Sequence, residues 1–349
     1  MMKRNGHRRN IIGVVISVVM ITLAAGSSSS ASSLASSSVS TPGNAASLAV
    51  PGADSGCPSA ACSAVIAAVA AGTRLKTMPA NLTPSLANAA SDLRVPSGGV
   101  CGSLQVPGLD PSYEPCVYGS KTATSKIVLI GDSHAWQWAT SVASIAQRIG
   151  ASFGLLYHSS CLVTLTASSL PPNGPPGGPE PSGQVCDQWT KAAIKWINNF
   201  RPQTVIVVAY SGSDIPSKQP IYAKGIVELF HQIQAPGRQF ILLGQDPDNY
   251  TGGPDCLAAH ESNISQCNVP ESQAVIPATI TAQEKTASQV HAKFVNVTPW
   301  ICTKSECPQV IGNFDVYQDP FHLTSSYADY LSPVLGIALG LLPVNTGKG

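Results

Sequence analysis

The chain has 349 residues, a formal net charge of +1 and only 11% charged residues. That length suffices for one large domain or two small ones around a sizeable core. Arg and Lys are scattered outside the N-terminus, so there is no basic footprint for nucleic acid.

Lys3, Arg4, Arg8 and Arg9 open the chain with positive charge, and residues 11–25 then run uncharged and mostly apolar into a tract of small residues. Residues 1–31 read as an export signal removed by cleavage, with an uncleaved anchor through residues 11–25 as the alternative. Ser27 stands where a lipoprotein signal would carry cysteine, which argues against a lipid anchor. Residues 32–56 are rich in Ser, Ala and Gly and poor in large apolar side chains. Such a segment buries too little surface to offset its ordering entropy, so it reads as a linker. Residues 57–120 are expected to form a small helical, disulfide-bearing preface. It would contain helices over Ala60–Ala71 and Pro84–Leu93 and a Pro- and Gly-containing loop between Cys101 and Cys116.

From residue 121 to 349 the pattern alternates between strands and helices. Short apolar runs at Ile127–Ile130, Phe153–Tyr157, Thr204–Ala209, Phe240–Leu243 and Phe294–Val297 predict buried parallel strands. Helices are expected over His134–Ile149, Asp187–Phe200, Ile221–Ile233, Pro277–His291 and after Leu323. Alternation of this kind predicts a three-layer α/β/α sandwich around a mainly parallel five-stranded sheet. Two inserts interrupt it, Leu170–Gly183 and Asp246–Pro270, which either shape a cleft or decorate the surface.

Ten cysteines in an exported chain predict disulfides. The simplest of many connectivities joins neighbours: Cys57–Cys62, Cys101–Cys116, Cys161–Cys186, Cys256–Cys267 and Cys302–Cys307. No Cys-x-x-Cys occurs and the seven histidines do not cluster near the cysteines at ligand spacing, so no metal and no cofactor are expected.

The chemistry concentrates at Gly131-Asp132-Ser133-His134, where a predicted strand gives way to a helix. Ser133 would then sit at a strand's carboxyl end, beside the unpaired N–H groups of a first helical turn. A serine hydroxyl needs a base, and the base needs an orienting acid. Asp319 and His322, three residues apart, supply that pair. Asp132 is expected to hold the turn through its own side chain. His134, at a helix start, is expected to point away and serve structure. Asp315 is a rival acid farther from His322, while Asp214, Asp246 and Asp248 read as loop residues.

Gly131-Asp-Ser-His-Ala135 with Trp138, and Tyr317-x-Asp319-x-x-His322-Leu323-Thr324, resemble the end blocks of the SGNH (GDSL-like) hydrolase superfamily. The likeness is greatest to the extracytoplasmic SGNH domain often fused to acyltransferase-3 membrane proteins. Cys161 with Cys186-x-x-Trp189, the Val205–Ala209 strand, the Cys302/Cys307 pair and Leu82-x-Pro84 with Asp92 also fit. The resemblance implies a flavodoxin-like sheet, Ser133 as nucleophile, His322 as base and Asp319 as orienting acid. It further implies O-acyl transfer on cell-envelope glycans outside the cytoplasm. A separate membrane acyltransferase would supply the acyl group. The superfamily's Gly-x-Asn-Asp block is missing, and Tyr210-Ser-Gly-Ser-Asp214 occupies its place. The oxyanion donors are therefore assigned to Ser133, Ser160 and Ser211. A secreted carbohydrate or lipid esterase with the same three residues is one alternative, and a non-catalytic glycan-binding or accessory domain is the other.

Overall fold

A computed structural model describes residues 59–169, 182–208 and 219–344. The expected signal and linker, Cys57, most of the proline-rich insert and Ser211 lie outside the described residues.

The central sheet has seven strands. In chain order they are β1 (Val100–Cys101), β2 (Cys116–Tyr118), β3 (Lys126–Gly131), β4 (Ser152–Tyr157), β5 (Thr204–Val208), β6 (Gln239–Leu243) and, after the two-residue β7 (Val269–Pro270), β8 (Lys293–Val295). Their spatial order is β1-β2-β4-β3-β5-β6-β8. The five strands from β4 to β8 in that order pair in parallel and coincide with the five apolar runs. The Cys101–Cys116 segment adds β1 and β2 antiparallel at one edge. This hairpin belongs to the same sheet and was not legible as strand, being two and three residues long. Two ribbons complete the strands, one pairing β7 with β9 (Glu306–Cys307), the other β10 (Val310–Ile311) with β11 (Phe314–Asp315).

Side chains alternate between the two faces of the sheet, as the period of two requires. Ile127, Leu129, Ile206, Val208, Ile241 and Leu243 face one core, which they share with helices Ala60–Gly72, Ala139–Arg148, Ser325–Tyr330 and Ser332–Leu339. Val128, Ile130, Val205, Val207 and Leu242 face the other, against helices Gly183–Phe200, Gln219–Ile233 and Pro277–Gln289. Each fully buried aliphatic side chain stabilises this arrangement by roughly 1.5–3 kcal/mol. The fold is thus the three-layer α/β/α sandwich that the strand–helix alternation predicts.

The connections position the site. The chain leaves β3 for β4 on one side and returns to β5 on the other, so the carboxyl ends of β3, β4 and β5 form the crevice where the winding reverses. Open α/β sheets bind their ligands there. Gly131 closes β3 because a Cβ would collide with the Val208 carbonyl and the Ala135 methyl. The helix expected over His134–Ile149 is two helices, Ser133–Gln137 and Ala139–Arg148, broken at the fully buried Trp138. The one expected over Pro84–Leu93 shrinks to Leu86–Ala89. Asp92 is drawn off instead: its carbonyl accepts from Ser325 N and its carboxylate from Ser326 N.

Disulfides Cys101–Cys116, Cys161–Cys186, Cys256–Cys267 and Cys302–Cys307 form as nearest neighbours. Among the described residues no helix is long and apolar enough to cross a membrane, and no cluster of His, Cys, Asp and Glu could hold a metal ion.

Candidate active site

Asp132 caps the helix that starts at Ser133, its Oδ1 accepting the His134 N–H at 2.8 Å. A cap of this kind fixes the turn and leaves the Ser133 hydroxyl at the end of β3. On the facing loop, Gln318 N–H donates to the His322 carbonyl at 3.0 Å and Tyr317 bridges to Leu323. Residues 318–322 are therefore a closed turn. Within it, Asp319 Oδ1 accepts the backbone N–H groups of Phe321 and His322, each at 2.8 Å.

That turn aims the imidazole. His322 Nδ1 lies 2.8 Å from Asp319 Oδ2, and its Nε2 lies 2.8 Å from Ser133 Oγ. Sequence reasoning chose these three residues, and the fold brings them into one hydrogen-bonded chain across 189 residues of sequence. Burial of Asp319 opposes its ionisation, but the hydrogen bond and charge of His322 and the two backbone donors outweigh it. The carboxyl is held below its ordinary value and stays ionised at neutral pH. An imidazole so oriented can take a proton from a hydroxyl on one edge while the carboxylate stabilises the resulting cation on the other.

His134 corrects the expectation that it points away. The ring is 3% exposed and lies against His322, with centroids 4.7 Å apart. Its Nε2 is 2.9 Å from the Phe321 carbonyl and its Nδ1 is 3.3 Å from Asp132 Oδ1. Both nitrogens face oxygens that only accept, an arrangement that favours the charged ring. Burial works against that charge, but Asp246, Asp132 and Asp248 prevail and push the His134 pKa up to about 9.

Three residues were missed as contributors. Gln137, one helical turn after Ser133, accepts the Leu323 N–H at 2.7 Å and donates to Asp246 Oδ1 at 2.9 Å. Asp246 and Asp248, read as loop residues, are each 2% exposed. Burial pushes the Asp246 carboxyl above its ordinary value, against the pull of His134 and His322. Their only sequence signal was position, just past the strand β6 in a sheet whose carboxyl ends build the site. Asp315, the rival acid, is fully buried and bonded to Gln309 Nε2, with no contact to His322.

Ser160, a candidate oxyanion donor, is exposed in the turn after β4 with φ +61°. His158 N–H donates to the Gly131 carbonyl at 3.1 Å, which lays that turn alongside the Gly131–Ser133 corner. Residues with positive φ other than glycine are strained and recur at functional sites. Ser211 lies outside the described residues.

Comparisons with known proteins agree with this architecture. The periplasmic domain of the lipopolysaccharide acetyltransferase of Salmonella ser. Paratyphi A is similar in structure, with a TM-score of 0.54 at 15% identity, covering 73% of this chain and 97% of that one. At that identity the likeness shows the fold alone. Weaker matches are a family two carbohydrate esterase from Clostridium thermocellum (TM-score 0.40, 12% identity, 64% of this chain and 66% of that one) and an acetylxylan esterase from Geobacillus stearothermophilus (TM-score 0.37, 12% identity, 65% and 98%). A search of curated proteins gives no match. The family model "SGNH domain (fused to AT3 domains)" matches residues 101–336. The strand-end serine, the capped turn and the closed Asp319–His322 loop therefore sit in a chain that belongs to the SGNH domain family.

Proposed function

We propose that this protein is an extracytoplasmic serine O-acyltransferase acting on hydroxyl groups of cell-envelope glycans. The observation that carries the reading is the hydrogen-bonded chain Asp319–His322–Ser133, with 2.8 Å at both links, at the carboxyl end of a central strand. Ser133 Oγ attacks the acyl carbonyl as His322 Nε2 takes its proton. The departing alcohol recovers that proton as the carbon–oxygen bond to the donor breaks, leaving an acyl-serine. A sugar hydroxyl then attacks, giving its proton to His322, and Ser133 leaves with the proton returned to it. The Ser133 and Ser160 backbone N–H groups receive the developing oxyanion, and Ser211 is the third donor in the same role.

Membership of a family fused to AT3 domains supports a membrane acyltransferase as the source of the acyl group. Location outside the cytoplasm is supported by the disulfides among the described residues and by the periplasmic origin of the Salmonella domain. Residues 121–349 carry the three proposed catalytic residues, and residues 57–120 precede them and add the β1–β2 hairpin to the same sheet. Hydrolysis is the second reading. The His322 side chain is 18% exposed, so water reaches the base and can replace the sugar as acceptor. The deciding experiment gives purified protein vinyl acetate with and without a glycan. Acetate release lost in Ser133→Ala supports the acyl-serine, and acetylated glycan selects transfer over hydrolysis. Turnover unchanged in Ser133→Ala sinks the reading.

A further inference from the structure

Two aromatic rings are exposed on the loops around the Asp319–His322 turn. Phe321 is 40% exposed and Tyr250 48% exposed, and they are the only aromatics among the large apolar side chains exposed in the described residues. Scattered exposed valines are ordinary on a soluble surface. Two aromatics in mutual contact, one of them the chain neighbour of His322, are not. Their centroids are 6.0 Å apart and their planes meet at 83°, an edge-to-face pair.

Both rings hang from fixed backbone. Phe321 precedes His322, and its N–H and carbonyl are bound by Asp319 Oδ1 and His134 Nε2. Tyr250 follows the fully buried Asn249, whose N–H donates to the Pro320 carbonyl at 2.7 Å. The Tyr250 hydroxyl donates to Asp248 Oδ2 at 2.7 Å. The Asp246–Pro270 insert is therefore tied directly to the loop that carries Asp319 and His322, and it sets an aromatic ring against Phe321. A flexible decoration would need neither the buried asparagine nor the anchored hydroxyl.

The face of a pyranose ring presents C–H groups, which carry partial positive charge and match the negative face of an aromatic ring. Its hydroxyls remain at the rim, where one can point at His322. We propose that Phe321 and Tyr250 form a stacking platform that binds the sugar ring whose oxygen reacts at Ser133. This inference rests on the acyl-serine reading and adds to it the place where the carbohydrate is held.

The test uses the full chain and two acetyl esters, acetylated cellotetraose and vinyl acetate, the second having no ring to stack. Tyr250→Ala is expected to raise KM for the acetylated sugar about 3- to 10-fold, the range for an aromatic contact of ~1 kcal/mol, with a clearly smaller rise in KM for vinyl acetate. Tyr250→Trp should retain sugar binding. Saturation-transfer NMR with unmodified cellotetraose reads binding without turnover: ring-proton signals should be present in the native protein and weakened in Tyr250→Ala. No sugar signal in the native protein, or equal loss on both esters, overturns the platform. Ser133→Ala on vinyl acetate separates the two claims. If that variant is inert while Tyr250→Ala leaves the sugar unaffected, the acyl-serine stands and the platform falls. If Ser133→Ala stays active, the underlying reading falls.

Discussion

The two sides of Ser133 are built differently. On the His322 side, the site residues are held by polar neighbours: Asp319 by two backbone N–H groups, His134 between Asp132 and the Phe321 carbonyl, Gln137 between Leu323 and Asp246. On the opposite side, the turn after β4 offers an exposed serine with φ +61° and backbone N–H groups. Proton transfer needs a fixed distance and a fixed tautomer, which only a bonded scaffold secures. Stabilising an oxyanion needs N–H donors fixed around the point where the charge develops.

This contrast breaks most visibly in the rates. His322→Ala is expected to lower kcat for ester cleavage about 10⁴-fold or more, and Asp319→Asn by about 10²–10⁴-fold through loss of the tautomer. Steady-state kinetics on vinyl acetate check both, and a loss below tenfold in either would mean that the chain of hydrogen bonds is not the proton path.

Next in size is the buried imidazolium. The folded His134 pKa of about 9 lies above the ordinary histidine value of 6.5. A raised pKa means that the stabilisation is fully present below about 6.5 and lost as pH rises through about 9. The difference corresponds to about 3 kcal/mol. Urea unfolding of the native protein should show stability falling between pH 6.5 and 9.5, with that slope flattened in His134→Asn. Gln137→Leu should cost about 2–3 kcal/mol, because it leaves the Leu323 N–H and an Asp246 oxygen buried without their partner. The smallest effect is on the opposite side. Ser160→Gly removes a Cβ from a left-handed backbone and keeps the N–H, so stability should rise by about 0.5–1 kcal/mol with activity changed less than threefold. A large activity loss there would assign the work to the Ser160 hydroxyl instead.

The same contrast explains what could be read from the chain alone. The β3 and β5 strands were legible because Ile127–Ile130 and Thr204–Val208 are apolar and β-branched in short runs bounded by polar residues. Ser133, Asp319 and His322 were legible because their chemistry constrains residue type at each position. Gln137, Asp246 and the inward turn of His134 were not. Each depends on a contact between segments more than 100 residues apart, and a glutamine or aspartate on a loop has no local pattern that announces burial. The edge hairpin escaped for a related reason: two- and three-residue strands are too short to display a period.

The central claim is that Ser133 carries the acyl group. Incubating the protein with a fluorophosphonate, then digesting it and analysing peptides by mass spectrometry, tests it directly. The account predicts one adduct, on Ser133, formed rapidly in native protein and far more slowly in His322→Ala. A folded protein left unlabelled, or one labelled at another residue, would contradict it.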